Sequence, residues 1–479
     1  MKNLLFRLII LFLIYPAAHA QEEYLTALTN LRQAEKSPER VPYPITLFLQ
    51  HARSNSLQLQ MMLLEECKLH YRNRVKFPSQ DPVLSFVPVY DISSQAIGVR
   101  ASLEGFLSFS GTRAEINMKS SVTPQSHTLT FSILQPLVQN AFGITDRLIK
   151  KRIGTETEIA RLQIAESIED YLAVLIKLYY TWYITSENLR TARDSYLRSQ
   201  EINRNVREKF RLKIADIRDV NQMRIQVIQK EETVLTLSNT HVGLVREIFE
   251  ITGSALDFFC AEKKTCPQLL QPMLPEGAFS EIFPETKDQV KEIIRSTRAY
   301  KIISLSAQNA ADAEKESRLA RLPSCNLLVD YSLSTGETKN SADNLSLAAG
   351  LSLSSPLPGI KNKAVHKTAV LERTGAHIAV TNTEINLWKT IADLRDAITF
   401  RTRLLQGMQE KIDLGREVTA QEQKLYEQGS VSLSDLITQI NNLDRYRYEY
   451  ISAVVALRLL HVQWLKLGDR LLIPHDVSE

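Results

Sequence analysis

Lys424–Gln439 reads KLYEQGSVSLSDLITQ, and Glu208–Met223 reads EKFRLKIADIRDVNQM. Displaced by 216 positions, Phe210 falls on Tyr426, Ile217 on Leu433, Asp219 on Asp435 and Val220 on Leu436. Each stretch reads as a short break between two helices, so the chain writes one helix–turn–helix twice. A repeat of this kind makes two tandem halves the first expectation.

Working outward, neither glycine nor proline occurs between Gly154 and Gly243. Within that span Ile168, Leu175, Trp182, Leu189 and Tyr196 recur every seven residues, interleaved with Tyr171, Leu178, Thr185 and Ala192. This is a coiled-coil seam. A helix over about 144–213 would run roughly 100 Å at 1.5 Å per residue, too long for an ordinary core helix. The second half repeats the plan over about 361–428, with Gly375, Gly407 and Gly415 but no proline. Shorter helices are expected after each turn, about Ile217–Thr252 and Leu433–Leu467, and before each long segment, about Pro44–Lys76 and Thr286–Arg321. Two short helices add up to one long one, so a stacked pair would match a long helix along its length.

Between the short and long helices the period changes to two. Leu345, Leu347, Leu351 and Leu353 alternate with Ser346, Ala348, Gly350 and Ser352, and Leu129, Phe131 and Ile133 alternate with Thr128, Thr130 and Ser132. Partner strands are expected in Gly98–Ser110 and Leu327–Thr335. Apolar on one face and small or polar on the other is the pattern of a lipid-facing barrel strand with a wet interior; a half-buried strand of a soluble sheet fits the pattern equally. Four strands cannot close a barrel around water, so a barrel would need several chains.

The chain begins MKNLLFRLIILFLIYPAAHA, with a basic start, an apolar run Leu8–Tyr15 and Ala18-His19-Ala20 before Gln21. This has the form of a secretory signal, with a mature chain expected from Gln21. The alternative, an uncleaved anchor, is disfavoured by an apolar run too short to span comfortably. No later stretch approaches 18 uninterrupted apolar residues, so a membrane-embedded part would have to be β-structure. Of the cysteines Cys67, Cys260, Cys266 and Cys325, the pair in FFCAEKKTCPQ, Cys260 and Cys266, is close enough to bridge a small loop in an oxidising compartment. With 479 residues, a formal charge of +4 and no dense basic patch, the chain does not point to nucleic acid. Nine scattered histidines offer no metal spacing or nucleophile–base pair, so no enzyme, cofactor or metal site is expected.

Signal peptide, then twice a short helix, hairpin strands, long helix, turn and short helix: this order resembles the TolC-type outer-membrane efflux family, over about Pro44 to Pro474. YEQGSVSLSDL is similar to the family's aromatic–glycine–leucine-aspartate-leucine turn. FRLKIADIRDV is a less close match, with Lys213 where glycine is usual. SILQPLVQNAFG, Ser132–Gly143, resembles the strand-to-helix junction, and SLSSPLPGIKNKA, Ser352–Ala364, holds the same place in the second half. Pro136 and Pro356 pair at an offset of 220, suggesting a first junction about four residues shorter or differently aligned.

The resemblance implies a mainly α fold with a β-barrel part. A homotrimer would pool four strands per chain in a twelve-stranded transmembrane barrel, below which the helices form a long periplasmic tunnel. The implied segments are a signal peptide 1–20, an extension 21–43 and a first repeat 44–253, with strands within about 84–135 and a tip about 211–219. An equatorial segment 254–285 follows, then a second repeat 286–468, with strands about 327–353 and a tip about 427–435, and a tail 469–479. Tyr90–Gln125 exceeds the simplest family pattern and leaves room for another hairpin. The implied function is a passive exit duct in the Gram-negative outer membrane, for small toxic molecules delivered by an inner-membrane pump through a periplasmic adaptor (membrane fusion) protein. A duct dedicated to protein or polysaccharide secretion and a structural envelope component are the alternatives. A soluble periplasmic coiled-coil scaffold would require the alternating strands to be misread.

Each repeated turn would then be a periplasmic tip, six of which close the entrance of a trimer. By resemblance Tyr426 and Asp219 form an entrance latch, Asp435 a ring that influences cation passage, and Arg211, Lys213, Ile217, Gly429, Ser430 and Leu433 the adaptor-docking surface. Val431 replaces an arginine of the family's lock and Thr438 a second ring aspartate, so the latch and the cation block would be weaker. Other readings stay open. Asp219 and Asp435 fall near helix starts, where a carboxylate favours the dipole's positive end. Tyr426 would equally pack beneath its turn, and Arg204, Arg207, Lys209, Arg211, Lys213 and Arg218 would equally form a solvated surface.

Overall fold

The structure is a computed structural model that describes residues 41–77, 81–91, 96–121, 126–252, 270–275, 283–284, 286–336, 344–355 and 358–471. The expected signal peptide, the 21–43 extension apart from its last residues, and the Cys260–Cys266 pair lie outside these residues. In chain order the elements are β1 (Val41–Tyr43), α1 (Ile45–Asn55), α2 (Leu57–Lys76), β2 (Val83–Asp91), β3 (Ala96–Leu107), β4 (Thr112–Ser121) and β5 (Ser126–Pro136). There follow α3 (Ile144–Arg211), α4 (Ile217–Ile251), β6 (Leu270–Pro272), α5 (Lys287–Ser296), α6 (Arg298–Leu319), β7 (Ser324–Gly336), β8 (Asn344–Ser354), α7 (Ile360–Glu427) and α8 (Leu433–Leu467).

The tandem repeat is kept to the residue. Helices α3 and α7 each have 68 residues, α4 and α8 each have 35, and all four boundaries are displaced by 216. The expected shorter first junction is corrected: Pro136 precedes its helix by eight residues and Pro356 by four, so the first junction is the longer. The extra length holds a 3₁₀ turn, Ala141–Gly143. The leading short helices are not continuous. Ser56 separates α1 from α2 and Thr297 separates α5 from α6, and the Thr297 hydroxyl caps α6 by accepting from the Tyr300 N–H.

The chain divides into two compact units. One comprises the described parts of Leu64–Glu166 and Glu292–Leu387 and contains a six-stranded antiparallel sheet in the order β2-β3-β4-β5-β7-β8. The expected four strands are thus exceeded by two, β2 and β4, which flank the predicted Gly98–Ser110 strand. Residues that face each other across a sheet share a face. One row of partners therefore runs Leu84, Leu103, Ile116, Phe131, Tyr331, Leu347 across all six strands. The neighbouring row on the other face runs Ser85, Ser102, Asn117, Thr130, Ser332, Ser346. The apolar face seen in two strands runs across the whole sheet, while the opposite face is mostly small or polar but includes Val83, Val87 and Val89 of β2. In this unit α3 is tied to α2 and α6 by ion pairs, Glu156 with Lys76 at 2.9 Å and Lys151 with the buried Asp312 at 2.8 Å.

The other unit comprises the described residues of Met1–Leu63, Ser167–Lys291 and Trp388–Glu479. Here the heptad seam of α3 is buried at Leu175, Trp182, Thr185, Leu189 and Ala192, while Ile168 and Tyr196 are only half-buried. Leu175, Tyr179 and Trp182 pack with Phe48 and Ala52 of α1, Val245 and Ile248 of α4, and Val455 and Val462 of α8. Strands β1 and β6 form a short parallel pair. The Tyr179 hydroxyl donates to the Tyr43 carbonyl at 2.6 Å and accepts from the Met273 N–H at 2.8 Å, fixing both strands against α3. Burial pushes the Tyr179 phenol up to about 12, so it stays neutral in that role. Helix α8 is long and apolar enough to cross a membrane by composition, but it buries Leu436, Ile440, Leu443, Val455 and Trp464 within this unit.

Candidate functional site at the repeated turns

The two turns have the same backbone. After α3, the Ile214 N–H reaches the Lys209 carbonyl at 2.8 Å and the Lys213 N–H reaches Phe210 at 2.9 Å. After α7, Ser430 reaches Leu425 at 2.9 Å and Gly429 reaches Tyr426 at 3.1 Å. Each closes its helix through one residue of left-handed conformation, Lys213 at φ 60° and Gly429 at φ 78°. That arrangement satisfies the last carbonyls of a helix and usually takes glycine. Lys213 shows that the first turn forms without it.

The following helices are capped alike. Asp216 caps α4 in a capping box whose return bond is donated by the Asp216 N–H to the Asp219 carboxylate. Ser432 caps α8, its hydroxyl accepting from the Asp435 N–H at 3.2 Å and donating to Asp435 Oδ2 at 2.7 Å. Both aspartates therefore serve their own helix starts, where a carboxylate also meets the positive end of the dipole.

Between the hairpins Val206, Met223, Leu433 and Ile437 form a small buried core, with Tyr426 and Val220 packed at its margin. The Tyr426 phenol is raised above its usual value by burial and by the neighbouring Asp219 carboxylate. Among the described residues no hydrogen bond joins Tyr426 to Asp219. The direct partner is Lys209 of the opposite hairpin, whose ammonium lies 4.2 Å above the Tyr426 ring and donates to the Tyr426 carbonyl at 3.2 Å. A cation over an aromatic face and a charge-assisted hydrogen bond join the same two residues. Sequence reasoning grouped Lys209 with the general basic surface. Its one distinguishing signal is its place two residues before the helix end, opposite the repeat's only tip tyrosine.

Arg211, Lys213, Ile217, Gly429 and Ser430 are exposed, and Ile217 opens onto a groove lined by Arg218, Asn221, Gln222 and Ile225. Leu433 is a correction: only 3% exposed, it belongs to the core between the hairpins and not to the outer surface. Its counterpart Ile217 is 52% exposed, so the symmetric sequence positions are used asymmetrically. Asp435 and Thr438 are exposed, and Asp219 and Val431 are half-buried.

A second polar cluster, not anticipated, lies farther along the same helices. Asp444 of α8, with its side chain 3% exposed, pairs with Lys230 of α4 at 2.7 Å and Arg198 of α3 at 3.2 Å, and accepts a hydrogen bond from Ser195. The signal was a single carboxylate inside the apolar stripe of α8. Such a charge is tolerated only when paired.

No protein-family model matches the chain, and no curated protein matches it in sequence. Solved structures do match. The outer membrane protein VceC of Vibrio cholerae aligns with TM-score 0.67 and 11% identity over 88% of this chain and 95% of its own. The CmeC outer membrane channel of Campylobacter jejuni gives 0.66 and 12% over 88% and 85%. The open state of the MtrE outer membrane channel of Neisseria gonorrhoeae gives 0.63 and 15% over 88% of both. At these identities the likeness is one of fold: the chain has the TolC-type fold of outer-membrane channels, a helical part combined with a β-sheet part.

Proposed function

We propose that the protein is the outer-membrane exit duct of an export system, working as a homotrimer with its sheet in outer-membrane lipid and its repeated turns in the periplasm. The observation that carries this reading is the six-strand row of apolar partners backed by a row of serine, threonine and asparagine. Leu84, Phe86, Leu345, Leu347, Leu351 and Leu353 are each more than 60% exposed. A soluble sheet would have to leave that face in water. Strands of 9, 12, 10, 11, 13 and 11 residues all meet the roughly 9–11 needed to cross a bilayer at a tilt. In this reading the cleaved signal directs the chain across the inner membrane, and no catalytic step is required. An inner-membrane pump drives transport, and a periplasmic adaptor meets the exposed tip residues Arg211, Lys213, Ile217, Gly429 and Ser430. Cargo is small toxic molecules; a duct dedicated to one secreted protein is the alternative that cargo assays separate.

The entrance restraint, in this reading, is Lys209 clasped to Tyr426, and Asp435 from three chains adds a negative ring. Planar-bilayer recording of the purified mature protein tests it. Lys209→Ala removes both the ring contact and the carbonyl bond, together worth about 1–2 kcal/mol, and should raise mean conductance about tenfold if the entrance is closed at rest. Tyr426→Phe keeps both contacts and should stay near wild type. The reverse order would leave the channel but move the restraint to the Tyr426 hydroxyl. Absence of conductance from inserted trimers would remove the duct reading itself.

A further inference from the structure

The strand count goes beyond the simplest barrel of this fold. We propose that each chain gives six strands to the shared wall, so that three copies close an eighteen-stranded barrel with β2 of one copy seated on β8 of the next. This rests on the trimeric channel reading above.

Three observations place the additional strands in the wall. First, the β2–β3 hairpin continues the apolar face of the sheet in register and, although β2 places Val83, Val87 and Val89 on the other side, keeps a polar row there. Leu84 and Leu103 extend the apolar row of Ile116, Phe131, Tyr331 and Leu347, and Ser85 and Ser102 extend the polar row of Asn117, Thr130, Ser332 and Ser346. A hairpin standing outside the bilayer would have no reason to keep an apolar face aligned with the lipid-facing one. Second, the hairpin is anchored. The Gln135 amide donates to the Ser110 carbonyl at 3.1 Å and Arg147 to the Phe109 carbonyl at 2.9 Å, tying the β3–β4 turn to the junction that starts α3. Gly143, at φ 74°, lies so close to that turn that a Cβ would come within 2.9 Å of the Phe109 carbonyl oxygen. Third, strand direction alternates through all six, so β2 and β8 are antiparallel. Among the described residues their outer edges, nine and eleven residues long, are unpaired, and closure between copies would satisfy both.

A barrel that instead began at β4 would have to break the β3–β4 ladder, which pairs ten residues of each strand. At about 4.8 Å between strands and about 40° of tilt, eighteen strands give a backbone diameter of about 36 Å against about 24 Å for twelve. The extra strands also bring charge to the inner face. Glu104 lies beside Glu115 and in the same row as Asp330, while Arg100 lies beside Lys119 four residues along. The lumen is therefore wide and carries acidic and basic belts at different heights.

Cysteine cross-linking in the intact trimer tests the contact. In a background with Cys67→Ser, Cys260→Ser, Cys266→Ser and Cys325→Ser, Ser85→Cys on β2 is combined in turn with Ser346→Cys, Ala348→Cys, Gly350→Cys or Ser352→Cys on β8. A parallel series places Asn117→Cys of β4 against the same positions. Within one chain β2 and β8 are five strand spacings apart, about 24 Å, far beyond the reach of a disulfide, so any bond joins copies. Oxidation should give covalent dimers and trimers at one or two neighbouring positions of the Ser85 series and none in the Asn117 series. Cross-links from Asn117, or none from either series in folded trimers, would overturn the proposal. Should the variants fail to fold, strand counting in a cryo-EM map of the unmodified protein in lipid nanodiscs decides between eighteen and twelve. The copy number from native mass measurement separates a failure of the trimer from a failure of the six-strand wall.

Discussion

Lys213 sits in the first turn at φ 60°, where the second turn places Gly429 at φ 78°. A side chain in that conformation costs about 1–2 kcal/mol, because its Cβ crowds the following carbonyl. The first turn forms nonetheless, because both of its closing hydrogen bonds and the Asp216–Asp219 capping box require the same geometry. Lys213→Gly should therefore tighten the turn by about 1 kcal/mol, seen as roughly fivefold slower hydrogen exchange at the Ile214 and Ala215 amides. Faster exchange would mean that the lysine side chain holds the turn through contacts of its own. Lys209 carries the opposite lesson. Its identity is unremarkable for a helix end, and only the approach of the second hairpin makes it the partner of Tyr426.

Among the helices, α3 is joined to α6 by Arg152 with Glu316, by Glu166 with Arg298 and by one buried carboxylate, Asp312. Burial alone would push Asp312 up, but the ammonium groups of Lys151, at 2.8 Å, and Lys315, at 3.0 Å, outweigh it and hold the carboxyl below its ordinary value. A lowered folded pKa means stability that is present above the unfolded carboxylate value and lost as pH falls through the folded one. Protection of the α6 amides, measured against their intrinsic exchange at each pH, should thus be steady from neutral pH to about pH 5 and fall below about pH 4. Asp312→Asn should flatten that acid limb and cost about 1–3 kcal/mol at neutral pH. An acid limb that survives the substitution would assign it to other carboxylates, Glu156 first, whose hydrogen bond to Lys76 also lowers it.

For the whole molecule, the proposed membrane role of the exposed apolar face has a direct consequence. The protein should stay in the membrane fraction through high salt and alkaline carbonate and leave it only with detergent, whereas a periplasmic scaffold would wash off. Deleting the gene should sensitise cells to small toxic compounds. Unchanged resistance together with an undelivered secreted protein would favour the dedicated secretion duct. In the proposed function the pump presents the cargo, so cargo identity would be carried by the partners and not by this chain.

Periodicity made much of this fold legible in one dimension. The spacing of 216, the heptad seam and the two-residue alternation are local patterns, and they located both long helices within a residue or two of their ends. Two strands escaped because their own patterns are poor. Strand β2, VLSFVPVYD, is apolar on both faces and contains Pro88, and β4, TRAEINMKSS, shows only Ala114, Ile116 and Met118 on its apolar side. Their membership in the sheet becomes visible only when neighbouring strands align Leu84 with Leu103 and Ile116 with Phe131. The same holds at the turns. A repeated turn is a property of consecutive residues, but the burial of Leu433, the exposure of Ile217 and the clasp of Lys209 on Tyr426 arise where two hairpins distant in sequence share one small core. Local pattern depends on what each residue does to its own backbone, while register and partner choice depend on which other segment arrives beside it.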